Sequence, residues 1–402
     1  MIAIDYGGRL MTFGTLAMIS LIGVLGPLLA LPRRWNLPVV LGELIAGIVL
    51  GPTGISALDA SEGTFAFLAQ IGFALVMFVA GSHVPVRDPH LRAAARIGAI
   101  RAAVVGVSAA LLGVALAGAF GTGHGGLYAV LMASSSAALI LPIVDSLRLG
   151  GAPVLEMLPQ VAIADTACIV ALPLVIDPVH AGRAALGAVA VLGSAAVLFL
   201  VLRYLETSGI RRRAHHISSQ RKFALELRTN LAILFGLVAL AAATHVSIML
   251  AGFAFGLAVA LVGEPRRLAR QLFAVTDGFL GPLFFIWLGS SLDLRDLARH
   301  PSFIMLGLLL GVGAVAAHLV TRLIGQPLPI GALTSAQLGV PVAAATVGSQ
   351  LNLLVPGEAA ALILGALVTI AATAVAGGLS VRSGLTDHAA STEQPPAGRD
   401  AT

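Results

Sequence analysis

The sequence is poor in charged residues, aromatic residues and cysteine. Asp, Glu, Lys and Arg make up 11% of its 402 residues, and Phe, Trp and Tyr make up 5%, whereas an ordinary soluble domain carries about 25% charged residues. This shortage excludes a soluble globular enzyme, and the high apolar content excludes a disordered chain. The one cysteine, Cys168, excludes an intrachain disulfide, a CxxC motif and a thiolate zinc cluster.

Familiar intramembrane enzyme motifs are also missing. The sequence contains no HExxH, the helical zinc-binding motif of metalloproteases, and no second mid-span Asp in a motif that suits an aspartyl protease. His318 is the only histidine expected deep in a span, and we interpret it as an interhelical hydrogen-bond partner or a pore-lining residue. The N-terminus lacks a basic stretch before an apolar core, so we expect no cleaved signal peptide. We therefore predict that the chain is not an enzyme.

Long apolar runs fill most of the chain, which is 58% hydrophobic with a mean hydropathy of +0.97. The runs are about 20 residues long, the length that a helix needs to cross about 30 Å of hydrocarbon. A β-barrel would instead show strands that alternate over about 10 residues. The sequence thus predicts an all-α polytopic membrane protein with about 13 transmembrane helices. The predicted spans are 13–31, 38–57, 64–82, 97–120, 125–146, 154–176, 184–204, 227–244, 246–263, 270–292, 302–324, 329–353 and 357–381.

Lys and Arg collect on one side of this predicted bundle. Nineteen lie in the turns of that side and in the C-terminal tail, four lie on the other side, and Arg101 lies just inside a span. The positive-inside rule then predicts a multi-pass protein of the cell (inner) membrane with its N-terminus outside and its C-terminus in the cytoplasm. Topology also explains the net charge of +5, so we expect no nucleic-acid partner. The basic loop from Arg203 to Arg228 is interpreted as a topology anchor, and a site for anionic lipid is the alternative.

The spans divide into two halves of opposite topology within a transmembrane antiporter domain at 1–385. Repeat 1 covers about 13–176, a linker helix and the basic loop cover 184–228, and repeat 2 covers about 227–381. Such inverted six-helix repeats are typical of secondary transporters, whose sites lie near the midplane on interrupted helices. The polar, proline-bearing residues 386–402 are predicted to be a disordered cytoplasmic tail.

The corresponding spans 125–146 and 329–353 both carry residues that weaken a helix. Ser134–Ser136 can hydrogen-bond to their own backbone, while Gly339 adds flexibility and Pro341 removes a helical donor. Freed backbone groups are tolerated in lipid only where they face protein or a wet cavity. We predict that both helices are discontinuous. The alternative is that Gly and Pro are simply common in membrane helices.

Asp165 lies at the centre of the predicted span 154–176. A charged Asp there costs at least about 2.5–3.5 kcal/mol on insertion scales, and such a residue is by default a functional-site candidate. Because burial disfavours the charged form, this carboxylate can alternate between a proton and a hard monovalent cation. That alternation is the minimum chemistry of cation/proton exchange. The alternative is a structural Asp bonded to a serine hydroxyl of a neighbouring helix.

Two further acidic residues lie in or near spans. Glu43 follows Gly42 and is interpreted as structural or accessory, and Asp277 lies within its span or at its mouth. Lys and Arg are absent from the depth of the spans 125–146 and 154–176. The sequence therefore offers Asp165 no obvious cationic partner.

Five stretches, in this order, carry a family resemblance. They are PVVLGELIAGIVLGPTG at 38–54, ASSSA at 133–137, Ala164-Asp165, HVSIMLAGFAFG at 245–256 and PLFFIWLGSSLDL at 282–294. The first resembles the signature of the second core helix in the monovalent cation:proton antiporter-2 family, within the sodium/proton exchanger superfamily. The others are similar to its SSTA motif, its ion-binding Asp position, its GLSxxLGAFxAGL segment and its PxFFxxxGxxLDL stretch. The resemblance extends from about residue 14 to 381.

This resemblance implies a core region with two crossed broken helices, a dimerisation region and elevator-like alternating access by a homodimer. Asp165 would be the shared proton and cation ligand by position. The residues that would line the site are Ser135, Ser136 and Thr166, with the broken-helix backbone at Ser134, Gly339 and Pro341 and accessory residues Glu43 and Asp277. No cofactor is implied, and the transported ions would be Na⁺ or K⁺ and H⁺.

The sequence departs from the family at informative places. Electrogenic members carry two adjacent Asp residues, but the first position here is Ala164, and no basic residue is evident in the span 270–292. We therefore expect electroneutral one-for-one exchange. The sequence resembles the potassium-efflux branch but ends before the Rossmann domain that often follows. A sodium-coupled symporter of an organic anion stays the alternative, because Gln337, Gln350 and Asn352 could build sodium sites.

Overall fold

The computed structural model describes residues 11–30, 39–82, 89–208, 225–244, 246–263, 272–291 and 294–386. These residues are almost entirely helical. The centre of the basic loop and the predicted tail beyond 386 lie outside the described ranges. The helices are α1 (Phe13–Gly23), α2 (Leu25–Ala30), α3 (Val39–Leu50), α4 (Gly63–Ser82), α5 (Pro89–Phe120), α6 (Gly125–Ala133), α7 (Ala137–Ser146), α8 (Ala152–Ile176), α9 (Ala181–Thr207), α10 (Leu225–Ala243), α11 (Ile248–Val262), α12 (Gly281–Ser290), α13 (Leu294–Arg299), α14 (Pro301–Leu319), α15 (Leu328–Leu333), α16 (Gly339–Gln350) and α17 (Glu358–Arg382).

Seven helical stretches of the described chain are long and apolar enough to cross a membrane. They are Gly63–Ser82, Ala94–Phe120, Ala152–Ile176, Pro178–Thr207, Leu272–Ser290, Pro301–Ile324 and Glu358–Arg382. Four shorter apolar helices accompany them. The structure confirms the all-α polytopic class, and the number thirteen stays a prediction.

The predicted span 13–31 contains a break that the sequence analysis did not anticipate. α1 ends at Gly23 and α2 begins at Leu25. The cause is Pro27, which follows Gly23 by four residues. The ring of Pro27 clashes with the carbonyl of Gly23, and Pro27 has no N–H to donate to that carbonyl. The Gly23 carbonyl therefore has no helical donor at position 27, and the chain makes a turn at Val24.

The helices pack in two groups, which meet where α4 contacts α7 and where α11 contacts α8. The first group contains α3, α4, α11 and α12, and the second contains α5, α6, α8 and α14 to α17. In the first group α3 crosses α12 at Gly47 and Gly289, where a Cβ on either glycine would collide with the backbone of the other helix. Small residues at helix crossings let backbones approach closely, which is how membrane helices gain packing energy without a hydrophobic driving force.

The turn between α8 and α9 carries an exposed ion pair. His180 Nδ1 lies 2.7 Å from Asp177 Oδ2, and the His180 backbone N–H also donates to Asp177. These hydrogen bonds hold the pKa of the Asp177 carboxyl below its ordinary value. A carboxyl with a lowered pKa stabilises the fold at neutral pH, and it loses that contribution as the pH falls and the carboxylate is protonated.

We expect Asp177→Asn to lower the Tm of the detergent-solubilised protein slightly at pH 7. The difference from the wild type should shrink as the pH falls below about 3.9, the ordinary pKa of Asp. Thermal melts of both proteins across this range test the prediction. A Tm difference that grows on acidification would contradict it.

Candidate functional site

The first discontinuous helix is interrupted at the three serines. α6 ends at Ala133, residues Ser134–Ser136 are not helical, and α7 begins at Ala137. Ser134 is extended, with φ −70° and ψ 147°, and its hydroxyl donates to the carbonyl of Leu131 at 2.8 Å. The serine side chain thus satisfies a carbonyl at the end of α6, as the sequence analysis predicted for hydroxyls that compete with the helix.

The second discontinuous helix is interrupted just before the predicted residues. α15 ends at Leu333 and α16 begins at Gly339, so the non-helical residues are 334–338. Pro341 lies in the first turn of α16, where its missing N–H would have no intrahelical partner. Its ring is incompatible with a helical carbonyl at Gln337, four residues earlier. Pro341 therefore sets where α16 starts, and the break falls before it.

The two interruptions are in direct contact. The hydroxyl of Ser135 donates to the backbone carbonyl of Thr334 at 2.7 Å, across 199 residues of sequence. Both residues are buried. This hydrogen bond satisfies one of the carbonyls that the second interruption frees from a helix, and it confirms that both predicted breaks exist and meet.

His318 lies behind this contact and is completely buried. Its Nδ1 lies 2.8 Å from Thr334 Oγ1, and that hydroxyl donates its own proton to the carbonyl of Gly331 at 2.7 Å. With that proton engaged, the Thr334 hydroxyl oxygen is available to accept a hydrogen bond from Nδ1. The predicted interhelical hydrogen bond of His318 is confirmed, and it fixes α14 to the second interruption.

Asp165 lies in the middle of α8 with 5% of its surface exposed. Its Oδ2 accepts the backbone N–H of Ala137, the first residue of α7, at 3.1 Å. The amino-terminal end of a helix carries partial positive charge, which favours an anion there. The carboxylate therefore lies at the first interruption, bonded to a backbone amide and not to a serine hydroxyl.

The second half of the chain contains a matching arrangement. Thr369 lies in the middle of α17, and its Oγ1 accepts the backbone N–H of Gln337 at 3.2 Å. In each half, the helix that follows the broken one presents a buried polar side chain to an N–H at the break. Of these two side chains, only that of Asp165 can carry a charge. The role of Thr369 was not predicted, since one threonine in an apolar helix gives no signal in the sequence.

The remaining predicted residues differ in their surroundings. Thr166 is half-buried, and its hydroxyl donates to the carbonyl of Ala162 in its own helix at 2.8 Å. Ser136 is buried, and its carbonyl accepts the N–H groups of Leu139 and Ile140 at the start of α7. Ser136 therefore lies at the interruption, whereas the hydroxyl of Thr166 is engaged within α8.

Glu43 and Asp277 form a separate acidic pair. Glu43 is buried in α3 beside Gly26 of α2. Asp277 is exposed on a π-helical turn, Thr276–Leu280, that leads into α12, and the charges of the two carboxylates interact. Such turns are frequent at functional sites. These two accessory residues thus lie in and next to the first helix group, near enough for their charges to interact.

Two adjoining cavities lie between the helix groups at the end of the bundle that holds the 57–62 and 351–357 loops. The larger has a volume of about 640 Å³ and a partly polar lining. The smaller, of about 200 Å³, shares Trp287, Val342 and Thr346 with it. Two residues of the smaller lining, Phe73 and Phe284, stack with ring centroids 4.7 Å apart. The polar residues of the larger lining include Asp59, Ser290, Ser291, Thr346, Ser349 and Asn352.

Replacing Ser135 should loosen the contact between the interruptions. Ser135→Ala removes one buried hydrogen bond, worth about 1 kcal/mol, so we expect a fall in ion turnover of about fivefold with a small fall in Tm. Ser134→Ala is the matched control, because that hydroxyl bonds only within its own helix and its loss should cost less. Turnover by reconstituted protein tests this. Equal turnover by the wild type and Ser135→Ala would contradict it.

Comparison with known proteins gives a family match over most of the chain. The family model described as the transmembrane sodium/hydrogen exchanger matches residues 18–385. A probable Na⁺/H⁺ antiporter of Methanocaldococcus jannaschii is 27% identical over 80% of this chain and 85% of that protein. The glutathione-regulated potassium-efflux system protein KefC of Salmonella typhimurium is 31% identical over 73% of this chain and 48% of that protein. A relative from Bacillus subtilis is 22% identical over 88% of this chain and 61% of that protein. The matched region thus covers less than two thirds of the length of that relative.

Solved structures share the fold. The sodium proton antiporter MjNhaP1 from Methanocaldococcus jannaschii at pH 8 superposes with a TM-score of 0.63 and 16% identity, over 92% of this chain and 97% of that one. An electron-microscopy map of the same antiporter gives a TM-score of 0.67 over 96% and 100% of the two chains. These matches confirm the fold that the sequence predicted.

Proposed function

The chain belongs to the transmembrane sodium/hydrogen exchanger family, a family of membrane transporters and not of enzymes, and from this premise we propose that it exchanges a monovalent cation, Na⁺ or K⁺, for protons by alternating access. The observation that carries the proposal is the buried Asp165 carboxylate at the junction of two interrupted helices. Antiporters of Na⁺ and H⁺ and a potassium-efflux protein among its relatives support the same ions.

Oxygen atoms at the junction suit a hard monovalent cation. Among the described residues, no group of three or more His, Cys, Asp or Glu side chains could hold a metal ion. A transported cation would instead be held by Asp165 with the hydroxyls of Ser135, Ser136 and Thr166. The broken-helix backbone at Ser134, and on the other helix the unwound carbonyls that immediately precede Gly339 and Pro341, would complete the site. Unwound carbonyls and the C-terminal ends of half-helices coordinate cations in transporters of this kind.

The carboxylate takes either partner but not both. An ionised Asp buried in the bundle is stable only when a positive charge neutralises it. When the cation leaves, the carboxylate therefore binds a proton, and when the proton leaves, the carboxylate binds a cation. One carboxylate exchanges one proton for one monovalent cation. The proposed exchange is therefore electroneutral, in keeping with Ala164 at the neighbouring position. Glu43 and Asp277 are proposed as accessory residues.

Several features of the assembly belong to the same proposal. The excess of Lys and Arg in the loops of one side favours a cytoplasmic C-terminus. With that orientation, the cavity beside Asp59 would open to the outside of the inner membrane. The matched bonds of Asp165 to Ala137 and of Thr369 to Gln337 support two inverted repeats, about 13–176 and 227–381. The resemblance supports a homodimer.

Exchange in proteoliposomes tests the proposal. The purified protein is reconstituted with a pH-sensitive dye, and Na⁺, Li⁺ or K⁺ is added outside at fixed pH. An antiporter changes the luminal pH when its cation is added, and electroneutral exchange continues unchanged when valinomycin and potassium clamp the membrane potential. A sodium-coupled symporter would leave the luminal pH unchanged, and a rate that follows the potential would contradict one-for-one exchange.

A further inference from the structure

A second buried carboxylate lies away from the proposed ion site. Glu358 is the first residue of α17, and none of its side-chain surface is exposed. Its Oε1 accepts the hydroxyl of Tyr128 at 2.6 Å and lies 2.7 Å from His124 Nδ1, while its Oε2 accepts the backbone N–H of Val355 at 3.0 Å. Both oxygens of this buried carboxyl therefore have hydrogen-bond partners, and the group lies at the positive end of a helix.

This cluster connects the first interrupted helix with the helix that binds the second interruption. Tyr128 belongs to α6, the half-helix that ends at the serine interruption, and His124 immediately precedes α6. Glu358 begins α17, whose Thr369 binds the other interruption. The cluster therefore ties the two halves of the chain together, about 230 residues apart in sequence.

His124 is the residue of this cluster through which solvent protons can reach it, from the end of the bundle on which His124 lies. Its side chain is 27% exposed, whereas Glu358 is sealed. Imidazole changes charge between about pH 5 and 8, so the tie is an ion pair when His124 is protonated and a neutral hydrogen bond when it is not. A buried carboxylate loses its compensating charge in the second case, which weakens the tie.

Other charged groups surround the cluster at this end. His300, at the start of α14, packs against Gly357, and Asp59 lines the larger cavity together with Gly357. Arg295 and Arg299 lie on α13, which packs against α17, and Arg295 donates to the backbone carbonyls of Thr53 and Gly54. His124 differs from these groups in that it hydrogen-bonds directly to Glu358 and also reaches solvent.

We infer that Glu358 is a positioning residue for exchange, and that His124 makes its tie between α6 and α17 respond to the pH of the face on which the larger cavity opens. The inference rests on the proposed exchange function. A firm tie holds α6, and with it the serine interruption, in the geometry that turnover needs. Maximal turnover should then fall as the pH on this face rises and His124 loses its proton.

The test separates maximal rate from cation affinity. Protons compete with the cation at Asp165 and so change the KM for the cation, whereas the tie changes Vmax. Vmax and KM are measured in proteoliposomes of known orientation, with the cation that the wild type exchanges, while the pH on the His124 face is varied and the other pH is held. The variants are His124→Gln, Tyr128→Phe and Glu358→Gln. The matched control is His180→Gln, which removes an exposed His–Asp pair at the α8–α9 turn.

We expect the wild-type Vmax to fall as the pH on this face rises and the Vmax of His124→Gln to be independent of pH there. Glu358→Gln should lower Vmax about tenfold, as expected for one charge-assisted hydrogen bond, and remove the pH dependence. Tyr128→Phe should lower Vmax and keep that dependence, and His180→Gln should follow the wild type.

The inference would be overturned if the Vmax of His124→Gln depended on pH in the same way as that of the wild type. This variant is decisive even if Glu358→Gln does not fold. The two proposals fail differently. Absence of any proton-coupled exchange by the wild type would remove the proposed function, whereas normal exchange with identical profiles in all variants would remove only this inference.

Discussion

Asp165→Asn abolishes proton-coupled cation exchange in our account, with a loss of at least about 100-fold. Asn has nearly the same shape as Asp, and its Oδ1 can still accept the N–H of Ala137 that now bonds to Asp165 Oδ2. The amide cannot take up a proton near neutral pH or neutralise a cation. The fold and the contact between the interruptions are therefore kept while the exchange chemistry is removed.

The matched control makes the same substitution outside the membrane spans. Asp177→Asn replaces a partly exposed carboxyl one residue past the end of the same helix, and it should exchange at nearly the wild-type rate. Luminal pH in proteoliposomes is the readout, with circular dichroism to establish that both variants fold. Normal exchange by Asp165→Asn would show that the carboxylate is structural.

The second large effect concerns the crossing of α3 and α12. Gly289→Leu should prevent the native packing of these helices, because a side chain at this position would occupy the space of the Leu44 carbonyl and of Gly47. Neither obstacle is a flexible side chain that could move aside. Overpacking typically lowers the free energy of unfolding by about 1–3 kcal/mol. Because the obstacles here are backbone atoms, we expect Gly289→Leu to lower it by about 3 kcal/mol or more. We expect little monodisperse protein and a strongly lowered Tm.

Gly236→Leu serves as the control for this substitution. Gly236 lies in α10 with no neighbouring atom near the position of a Cβ, so the added side chain meets open space. Size-exclusion profiles and Tm values of the two variants in the same detergent give the comparison. Similar behaviour of both variants would mean that the close approach of α3 and α12 does not determine stability.

The elements that the sequence predicted correctly depend on local properties of the chain. Apolar runs identified the helices because the bilayer dictates their length. The serines at 134–136 and Pro341 identified both interruptions because each weakens or blocks a helix through its own covalent structure. The mid-span position of Asp165 identified it as a candidate because charge in hydrocarbon is costly.

The elements that the sequence missed depend on which helices meet. The bond from Ser135 to Thr334 and the cluster of Tyr128, His124 and Glu358 join residues about 200 or more positions apart. Hydropathy carries no information on such pairings. Glu358 looked like an ordinary acidic residue at the start of a helix, where the dipole favours negative charge, and nothing near it in sequence predicted its complete burial.

Proton release on cation binding tests the central claim most directly. Protein in detergent and weak buffer, at a pH where Asp165 carries its proton, is titrated with Na⁺ or K⁺ while the pH is recorded. Our account predicts that the wild type releases one proton for each cation bound and that Asp165→Asn releases none. Cation binding by the wild type without proton release, or equal release by the Asn variant, would contradict the claim that one carboxylate serves both ions.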